Sequence, residues 1–245
     1  MLSVIIPCFN EEKLVKKTFA EVLKSIKISK IKKYEIVFID DGSSDNSLKI
    51  VKKKFTKIKN IRIYSNEKNL GIGHVFFKGI TLSKGNYLIQ IPSDNSHKAR
   101  EISKLLNFYN ANYDIVTTFY EDVIGRNYLR KLFTKLYTPF LNFIYGLNLP
   151  YYNGLTLYKS KLIKNLKIHN RDFSYQIEIF VKLFYTSRIK KKIISTIALD
   201  RKKGSKAFTI KNSLRVISSI ARIFVISLLL RTSKFLNHFK NKSQY

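Results

Sequence analysis

The chain has 245 residues, and 45% of them are hydrophobic, which is enough for a sizeable core and argues against intrinsic disorder. A single cysteine, Cys8, excludes an internal framework of disulfide bonds. The net charge of +30 is uneven, because residues 1–125 carry 21 Lys and Arg against 13 Asp and Glu, whereas residues 126–245 carry 25 against 3.

In the first 120 residues, short apolar runs alternate with helical patterns. The runs predict strands at Leu2–Pro7, Glu35–Asp40, Ile61–Ser65, Tyr87–Ile91 and Asp114–Phe119. The spacing of apolar residues predicts helices at Glu11–Ile28, Asp45–Phe55, Ile72–Ser83 and Arg100–Asn110. This alternation is typical of βαβ units, so we predict an α/β fold with a mostly parallel sheet flanked by helices.

Polar residues follow three of these strands. Asn10 and Glu11 come after the first strand, Asp40 and Asp41 end the second, and Asp94 follows the fourth. Ligands of open α/β sheets bind outside the carboxyl ends of the strands. The three loops therefore predict a binding site at one edge of the sheet.

The second half follows a different pattern. It predicts a basic amphipathic helix at Arg126–Tyr145, a strand at Leu155–Tyr158, a helix at Ser174–Tyr185, a strand at Ile193–Leu199, a basic loop at Arg201–Lys206 and a long helix from about Thr209. On the last helix, one face carries Lys211, Arg215, Ser218, Ser219 and Arg222. We predict a main domain over residues 1–210 and a basic amphipathic C-terminal helix or tail over residues 211–245.

Membrane-spanning segments are not expected. The best candidate, Val216–Leu230, has 15 residues and contains Arg222, whereas a spanning helix needs roughly 20 apolar residues. No basic and apolar leader precedes the first strand, so we expect no signal peptide. The chain is predicted to lie on a membrane rather than cross it.

Several motifs together resemble family 2 glycosyltransferases of the GT-A fold, which is Rossmann-like. They are SVIIPCFNEE at residues 3–12, IDDGSSD at residues 39–45 and NLGIG at residues 69–73. The stretch FSYQIE at residues 173–178, followed by RKKGSK at residues 201–206, is similar to the dolichyl- and polyprenyl-phosphate sugar synthases. The resemblance covers about residues 1–215 and implies an inverting transferase that uses a nucleoside diphosphate sugar.

The resemblance also implies roles for the residues of the strand-end loops. The base and ribose of the nucleotide would be held by Pro7, Asn10, Glu11 and Asp40, with Asp41, Gly71 and Gly73 beside them. Helix capping is the alternative for Asn10, and Ser44 could likewise cap a helix.

The metal motif differs from that of the family. The usual Asp-x-Asp is here Pro92-Ser93-Asp94, which leaves one carboxylate. The resemblance implies that Asp94 contacts a divalent metal, Mg or Mn, or the diphosphate, and that Ser96 is a second metal candidate. His97 is interpreted as structural.

The acceptor is predicted from basic residues. The resemblance assigns its phosphate to Arg126, Arg130, Arg201 and Lys206, since Arg pairs bidentately with phosphate; a solvated basic face is the alternative. The synthases carry Phe-Arg where this chain has Leu155-Thr156, so the acceptor is a polyprenyl phosphate or, alternatively, a glycan hydroxyl. Glu178 is interpreted as a structural anchor.

The predicted function is therefore that of a hexosyltransferase in cell-envelope glycan biosynthesis. We expect a cytoplasmic protein, peripheral on the inner face of the membrane, with an anionic membrane surface as a partner of the basic second half. Nucleic acid is not expected, because no helix-turn-helix, RNP or zinc motif is present. The non-enzymatic alternative is a basic module that binds nucleic acid or membranes without catalysis.

Overall fold

The computed structural model describes residues 1–126, 128–186, 188–200 and 217–232, without the side chains of residues 129 and 130. Strands and helices alternate through the first half and are mixed in the second. In chain order they are β1 Leu2–Cys8, α1 Val15–Ile28, β2 Tyr34–Asp40, α2 Ser47–Phe55, β3 Ile61–Ser65, α3 Ile72–Leu82, β4 Tyr87–Gln90, α4 Ala99–Leu106, β5 Ile115–Ile124, α5 Tyr128–Tyr145, β6 Thr156–Lys159, α6 Ser160–Lys164, α7 Tyr175–Thr186, β7 Lys191–Leu199 and a helix at 217–232, here α8.

The strands form one seven-stranded sheet in the order β3-β2-β1-β4-β6-β5-β7. Strands β1 to β4 are parallel, β6 is antiparallel to both β4 and β5, and β7 is parallel to β5. The predicted α/β fold with a mostly parallel sheet is confirmed. The carboxyl ends of β1, β2 and β4 meet at one edge, as the sequence predicted.

Both faces of the sheet are covered, which explains the continuously apolar strands. One core cluster packs helices α1, α2 and α4 on the sheet, and the other packs α3, α5, α7 and α8. Along β1, Val4 and Ile6 belong to the first cluster and Ile5 to the second. Cys8 is buried in the first cluster, and this burial raises the pKa of its thiol to about 11.

Helix α1 begins at Val15, four residues later than predicted. The backbone amide of Glu11 donates to Ser47 Oγ over 2.8 Å, and that of Glu12 donates to Asp45 Oδ2 over 3.0 Å. These bonds tie residues 11–12 to the loop after β2 instead of the first turn of a helix. The loop after β1 is therefore part of the predicted site.

Helix α8 turns its polar side towards the main domain. Ser219 Oγ donates to Asp172 Oδ2 over 2.6 Å, Arg222 Nη1 donates to Asn170 Oδ1 over 3.2 Å, and Ile223 is buried. The exposed side of the helix is apolar and carries Ile217, Val225, Leu228 and Leu229. Lys211 and Arg215, like the predicted domain boundary at residue 210, lie outside the described residues.

No helix in the described part of the chain is both long enough and apolar enough to span a membrane.

Candidate active site

Asn10 and Asp40 brace the loops that follow β1 and β2. Asn10 Oδ1 accepts a bond from the amide of Ser44 over 2.8 Å, and the Asn10 amide donates to Ser43 Oγ over 2.9 Å. Asp40 Oδ2 accepts the amide of Ser43 over 3.0 Å. Asn10 therefore joins two loops and does not cap α1.

The start of α2 corrects the alternative reading of Ser44. This helix begins at Ser47, whose amide donates to Asp45 Oδ1 over 2.9 Å. Asp45 supplies the local bond because it lies two residues before the first helical amide, whereas Ser44 is bonded to Asn10. The capping role proposed for Ser44 is wrong.

Asp41 organises the loop between β3 and α3. Its Oδ1 accepts bonds from Asn66 Nδ2 over 2.8 Å and from the amide of Leu70 over 3.1 Å, and its Oδ2 accepts the amide of Gly71 over 2.9 Å. Gly71 has φ +96°, a left-handed value that glycine adopts without strain. At Gly73, a Cβ atom would lie 2.5 Å from the carbonyl oxygen of Arg171. Gly73 thus lets the start of α3 pack against the segment before α7.

A cavity of about 610 Å³, the Asp94 cavity, opens at this edge of the sheet. It brings together five of the predicted residues, namely Pro7, Glu11, Asp41, Gly71 and Asp94. Arg171, Asp172 and Phe173 also line it. Asn10, Asp40 and Gly73 are not in its wall and instead support the surrounding loops.

Asp94 is oriented by its neighbour Ser96. Asp94 Oδ1 accepts bonds from the Ser96 amide over 3.1 Å and from Ser96 Oγ over 2.6 Å. Within the described residues, no group of three or more His, Cys, Asp or Glu side chains could hold a metal ion. A cation bound by Asp94 would therefore need further oxygens, such as those of its substrate.

The segment 169–172 is held by a buried carboxylate. Glu178 is fully buried and accepts bonds from the amide of Asn170 over 2.8 Å and from the amide of His169. Lys182 Nζ lies 2.7 Å from Glu178 Oε1. Burial favours the neutral acid, but the hydrogen bonds from Lys182, Asn170 and His169 outweigh it and lower the pKa of Glu178. Glu178 is thus a structural anchor, as interpreted from the sequence.

A second, smaller cavity of about 250 Å³, the Gln90 cavity, adjoins the first. The two share Ile72, Pro92 and Phe173 in their walls. The polar part of the Gln90 cavity wall is formed by Gln90, His97, Tyr120, Asn153, Thr156, Tyr158, Tyr175 and Gln176. His97 is buried and stacks on Tyr120, with 5.8 Å between ring centroids, and burial lowers the pKa of its imidazole to about 4.

A third cavity of about 370 Å³, the Arg126 cavity, lies between the end of β5 and helix α5 and shares Tyr120 with the Gln90 cavity. Arg126 and Lys135 are its basic wall residues. Arg126 Nη1 donates to Thr134 Oγ1 over 3.3 Å, while Arg126 Nε lies 4.0 Å from Asp200 Oδ1. The three cavities are therefore adjacent in order from the strand ends to α5, each sharing at least one wall residue with the next.

Residues 3–175 match the model of the family described as glycosyl transferase family 2. This chain belongs to glycosyltransferase family 2. The family assignment makes it a glycosyltransferase rather than a binding module without catalysis.

Two relatives and one solved structure extend this finding. An uncharacterized protein of Methanocaldococcus jannaschii is 31% identical over 73% of this chain and 79% of its own length. The dolichyl-phosphate beta-glucosyltransferase of Dictyostelium discoideum is 32% identical over 42% of this chain and 34% of its own length. Glucosyl-3-phosphoglycerate synthase from Mycobacterium tuberculosis, solved with Mn²⁺, UDP-glucose and phosphoglyceric acid, has a TM-score of 0.68 and 18% identity, with 91% of this chain and 79% of that chain covered.

These comparisons confirm the predicted family, its GT-A fold and the similarity to dolichyl- and polyprenyl-phosphate sugar transferases. This chain spans 79% of the length of the archaeal relative. It spans about half or less of the length of the other curated relatives that it matches.

Several wall residues of the glycosyltransferase were not predicted from its sequence. Arg171 lies two residues before the FSYQIE motif, and this position was the available signal. Gln90 ends an apolar strand, and Gln176 lies inside the motif. Neither side chain is charged, so neither was recognised as a candidate site residue. Of the predicted acceptor residues, Arg126 lines the Arg126 cavity. Arg201 and Lys206 lie outside the described residues, as does the side chain of Arg130.

Proposed function

We propose that this glycosyltransferase moves a hexose from a nucleoside diphosphate sugar to a polyprenyl phosphate at a membrane surface, with inversion. The observation that carries this proposal is the series of three cavities joined by shared wall residues. The Asp94 cavity would take the nucleotide diphosphate, the Gln90 cavity lies next to it, and the Arg126 cavity would take the acceptor phosphate.

The donor side is supported by the residues of the Asp94 cavity. It lies at the carboxyl ends of the parallel strands, where nucleotides bind in open α/β sheets. Arg171 adds a positive charge to the wall that also carries Asp94, which suits a diphosphate. The M. tuberculosis enzyme of similar fold binds UDP-glucose, which supports UDP as one nucleotide to test beside GDP.

We also propose a divalent cation, Mg²⁺ or Mn²⁺, held by Asp94 and by the diphosphate oxygens. Mg²⁺ commonly binds through one or two carboxylates and substrate phosphates, so the single carboxylate fits a cation carried by the donor. A bound cation offsets the charge that develops on the leaving diphosphate. Asp94 is held ready for it by Ser96, and the role of Ser96 as a direct ligand stays a prediction.

A phosphate acceptor is favoured over a glycan hydroxyl because the described walls of the two cavities beyond the donor site carry no carboxylate. No Asp or Glu is found among the described wall residues of the Gln90 and Arg126 cavities. A hydroxyl acceptor needs a group that removes its proton, whereas a phosphate oxygen is already anionic. A covalent glycosyl intermediate needs a carboxylate beside the sugar, and the described wall of the Gln90 cavity carries none, which supports direct displacement and inversion.

A lipid-linked acceptor is supported by the outer face of α5, which borders the Arg126 cavity. Phe133, Leu136, Phe140 and Phe143 recur at spacings of three and four, which places them on one side of the helix, and all are exposed. Arg231 Nη2 donates to the carbonyl oxygen of Ile144 over 2.9 Å, which holds α8 against the end of α5. The apolar sides of both helices suit contact with lipid. Location on the inner face of the membrane stays a prediction.

The test is a transfer assay with labelled UDP- and GDP-sugars and either undecaprenyl or dolichyl phosphate in detergent micelles. We expect label in the lipid fraction with a polyprenyl phosphate and none with the matching polyprenol, which lacks the phosphate. The Arg126→Ala variant should lose transfer, while Arg100→Ala, at an exposed position on α4, should keep it. Equal transfer to the polyprenol, or transfer to a glycan alone, would refute the phosphate acceptor.

A further inference from the structure

The wall of the Gln90 cavity is polar but carries no charge. Its described wall residues include no Lys, Arg, Asp or Glu. On the basis of the proposed function, we infer that this cavity receives the transferred sugar of the donor, that it admits only an uncharged sugar, and that the Gln90 amide donates a hydrogen bond to an oxygen of that sugar.

The orientation of the Gln90 amide is fixed from one side. The Tyr175 hydroxyl donates to Gln90 Oε1 over 2.6 Å, and both side chains are buried. Within the described residues, Gln90 Nε2 has no hydrogen-bond partner, although Gln90 is only 8% exposed. A buried donor without a partner costs free energy until a ligand satisfies it. Because Tyr175 binds the oxygen of the Gln90 amide, the Nε2 amide group remains as a donor to the cavity. A ligand that satisfies it needs an acceptor oxygen.

The other polar groups around the cavity are consistent with a neutral polyhydroxyl ligand. The imidazole of His97 is buried and stacks on Tyr120, and its Nδ1 has no hydrogen-bond partner in the described part of the chain. Gln176 Nε2 is already bonded to the carbonyl oxygen of Gly154 over 2.7 Å and to Thr156 Oγ1 over 2.9 Å. Gln90, His97 and Tyr158, whose hydroxyl likewise has no partner within the described residues, are thus wall groups available to bind the ligand.

Charged sugars are excluded by the cost of burial. A carboxylate or an ammonium group moved from water into a buried site is strongly disfavoured unless an opposite charge or several hydrogen bonds compensate it. The described wall of the Gln90 cavity provides no opposite charge for either group. The charged groups Asp94 and Arg171 lie in the adjoining Asp94 cavity, where the diphosphate is proposed to bind. The donors are therefore nucleotides of neutral hexoses or N-acyl hexosamines rather than of uronic acids or amino sugars.

Matched donor pairs test this inference by calorimetry. UDP-glucose is compared with UDP-glucuronate, UDP-galactose with UDP-galacturonate and GDP-mannose with GDP-mannuronate, with free UDP and GDP as references. We expect the best neutral donor to bind at least about tenfold more tightly than its uronate, because the uronate buries an unpaired charge. A uronate that binds as tightly as its neutral partner would overturn the inference while the proposed function stands. If neither UDP nor GDP binds, the proposed function itself fails.

The Gln90→Leu variant tests the role of the amide. It should leave the affinity for the free nucleotide unchanged. The affinity for the neutral nucleotide sugar should fall by roughly three- to tenfold, as expected for the loss of one buried hydrogen bond. Tyr175→Phe nearly keeps the side-chain volume but removes the hydrogen bond to the oxygen of the Gln90 amide. It should therefore lower the affinity for the same nucleotide sugar by a smaller factor. An unchanged ratio of nucleotide to nucleotide-sugar affinity in a folded Gln90→Leu protein would refute the assignment. If Gln90→Leu does not fold, the same ratio in Tyr175→Phe decides.

Discussion

Ser219 Oγ lies 2.6 Å from Asp172 Oδ2, and the hydrogen bond between them joins helix α8 to the wall of the Asp94 cavity. Asp172 Oδ1 also accepts the amide of Ser174 over 2.8 Å, so this carboxylate is held from two sides. The helix that presents an apolar outer face is thereby connected to the proposed donor site.

Removal of this bond should destabilise the protein modestly. We expect Ser219→Ala to lower the free energy of unfolding by about 1 kcal/mol, or roughly 2–4 °C in melting temperature for a chain of this size. Ser218→Ala is the matched control, because Ser218 is exposed on the same helix. Thermal denaturation followed by circular dichroism measures both, and equal melting temperatures for the two variants would contradict the role of the bond.

Asp94→Asn should abolish most of the transfer activity while the fold is kept. Asn retains an oxygen that can accept the bonds from Ser96 but loses the charge that would hold a cation. Loss of one preorganised electrostatic contact to a leaving group costs about 10²–10³-fold in turnover. Turnover measured with and without EDTA checks this. Activity that persists in EDTA but is lost in Asp94→Asn would point to a direct contact of Asp94 with the donor rather than to a metal.

Arg171 should contribute to binding of the nucleotide diphosphate. Its guanidinium lies 4.2 Å from the centroid of the Phe77 ring, and the residue lines the Asp94 cavity. A hydrogen bond to a charged group contributes about 1.5–3 kcal/mol, so Arg171→Ala should weaken UDP or GDP binding by roughly 10- to 100-fold. Arg171→Lys should recover part of the affinity, and the exposed Arg100→Ala should leave it intact. Unchanged affinity in Arg171→Ala would exclude a contact with the diphosphate.

The Glu178–Lys182 pair should make stability depend on pH. The folded-state pKa of Glu178 lies below its ordinary value of 4.5, so the carboxylate stabilises the fold above about pH 4.5. This contribution is lost as pH falls through the folded pKa. Glu178→Gln removes the buried charge that pairs with the partly buried Lys182 and should cost roughly 3–5 kcal/mol at pH 7, with a smaller cost in acid.

Urea unfolding of both proteins at pH 7 and at pH 4 measures this difference. Asp122→Asn is the control, because Asp122 pairs with Lys131 on the surface, where solvent screens the charges. A Glu178→Gln defect that is the same at both pH values would show that the charge of Glu178 is not the cause.

The apolar side of α5 should bind membranes. Leu136 is 66% exposed and Phe143 is 87% exposed on this side, and burial of one large apolar side chain contributes about 1.5–3 kcal/mol. The double variant Leu136→Asp with Phe143→Asp should therefore reduce sedimentation with vesicles of phosphatidylglycerol and phosphatidylcholine by more than tenfold. Ile58→Asp, on an exposed site before β3, should bind as the unmodified chain does.

Salt separates the apolar contribution to membrane binding from the ionic one. Basic residues near an anionic surface lose most of their attraction at high ionic strength, while apolar insertion does not. We expect binding to persist in part at high salt and to vanish there in the double variant. If the full chain ignores anionic vesicles even at low salt, the membrane proposal is wrong.

The sequence by itself determined the alternation of strands and helices and the position of the main loops. Parallel strands buried on both faces need continuous apolar runs, and the run Ile36–Ile39 divides its side chains between the two core clusters. The motifs that end β1 and β2 identified the family, because their residue types and spacing are local features of the chain. Five of the predicted residues consequently lie in one cavity.

Only the tertiary structure decided which side of α8 faces the domain. Periodicity placed Ser219 and Arg222 on one face, but their partners, Asp172 and Asn170, lie about 50 residues away along the chain. The same holds for Gln90, since its amide is fixed by Tyr175 at a separation of 85 residues. Hydrogen bonds between distant segments depend on how the chain is folded, and no local pattern of residues encodes them.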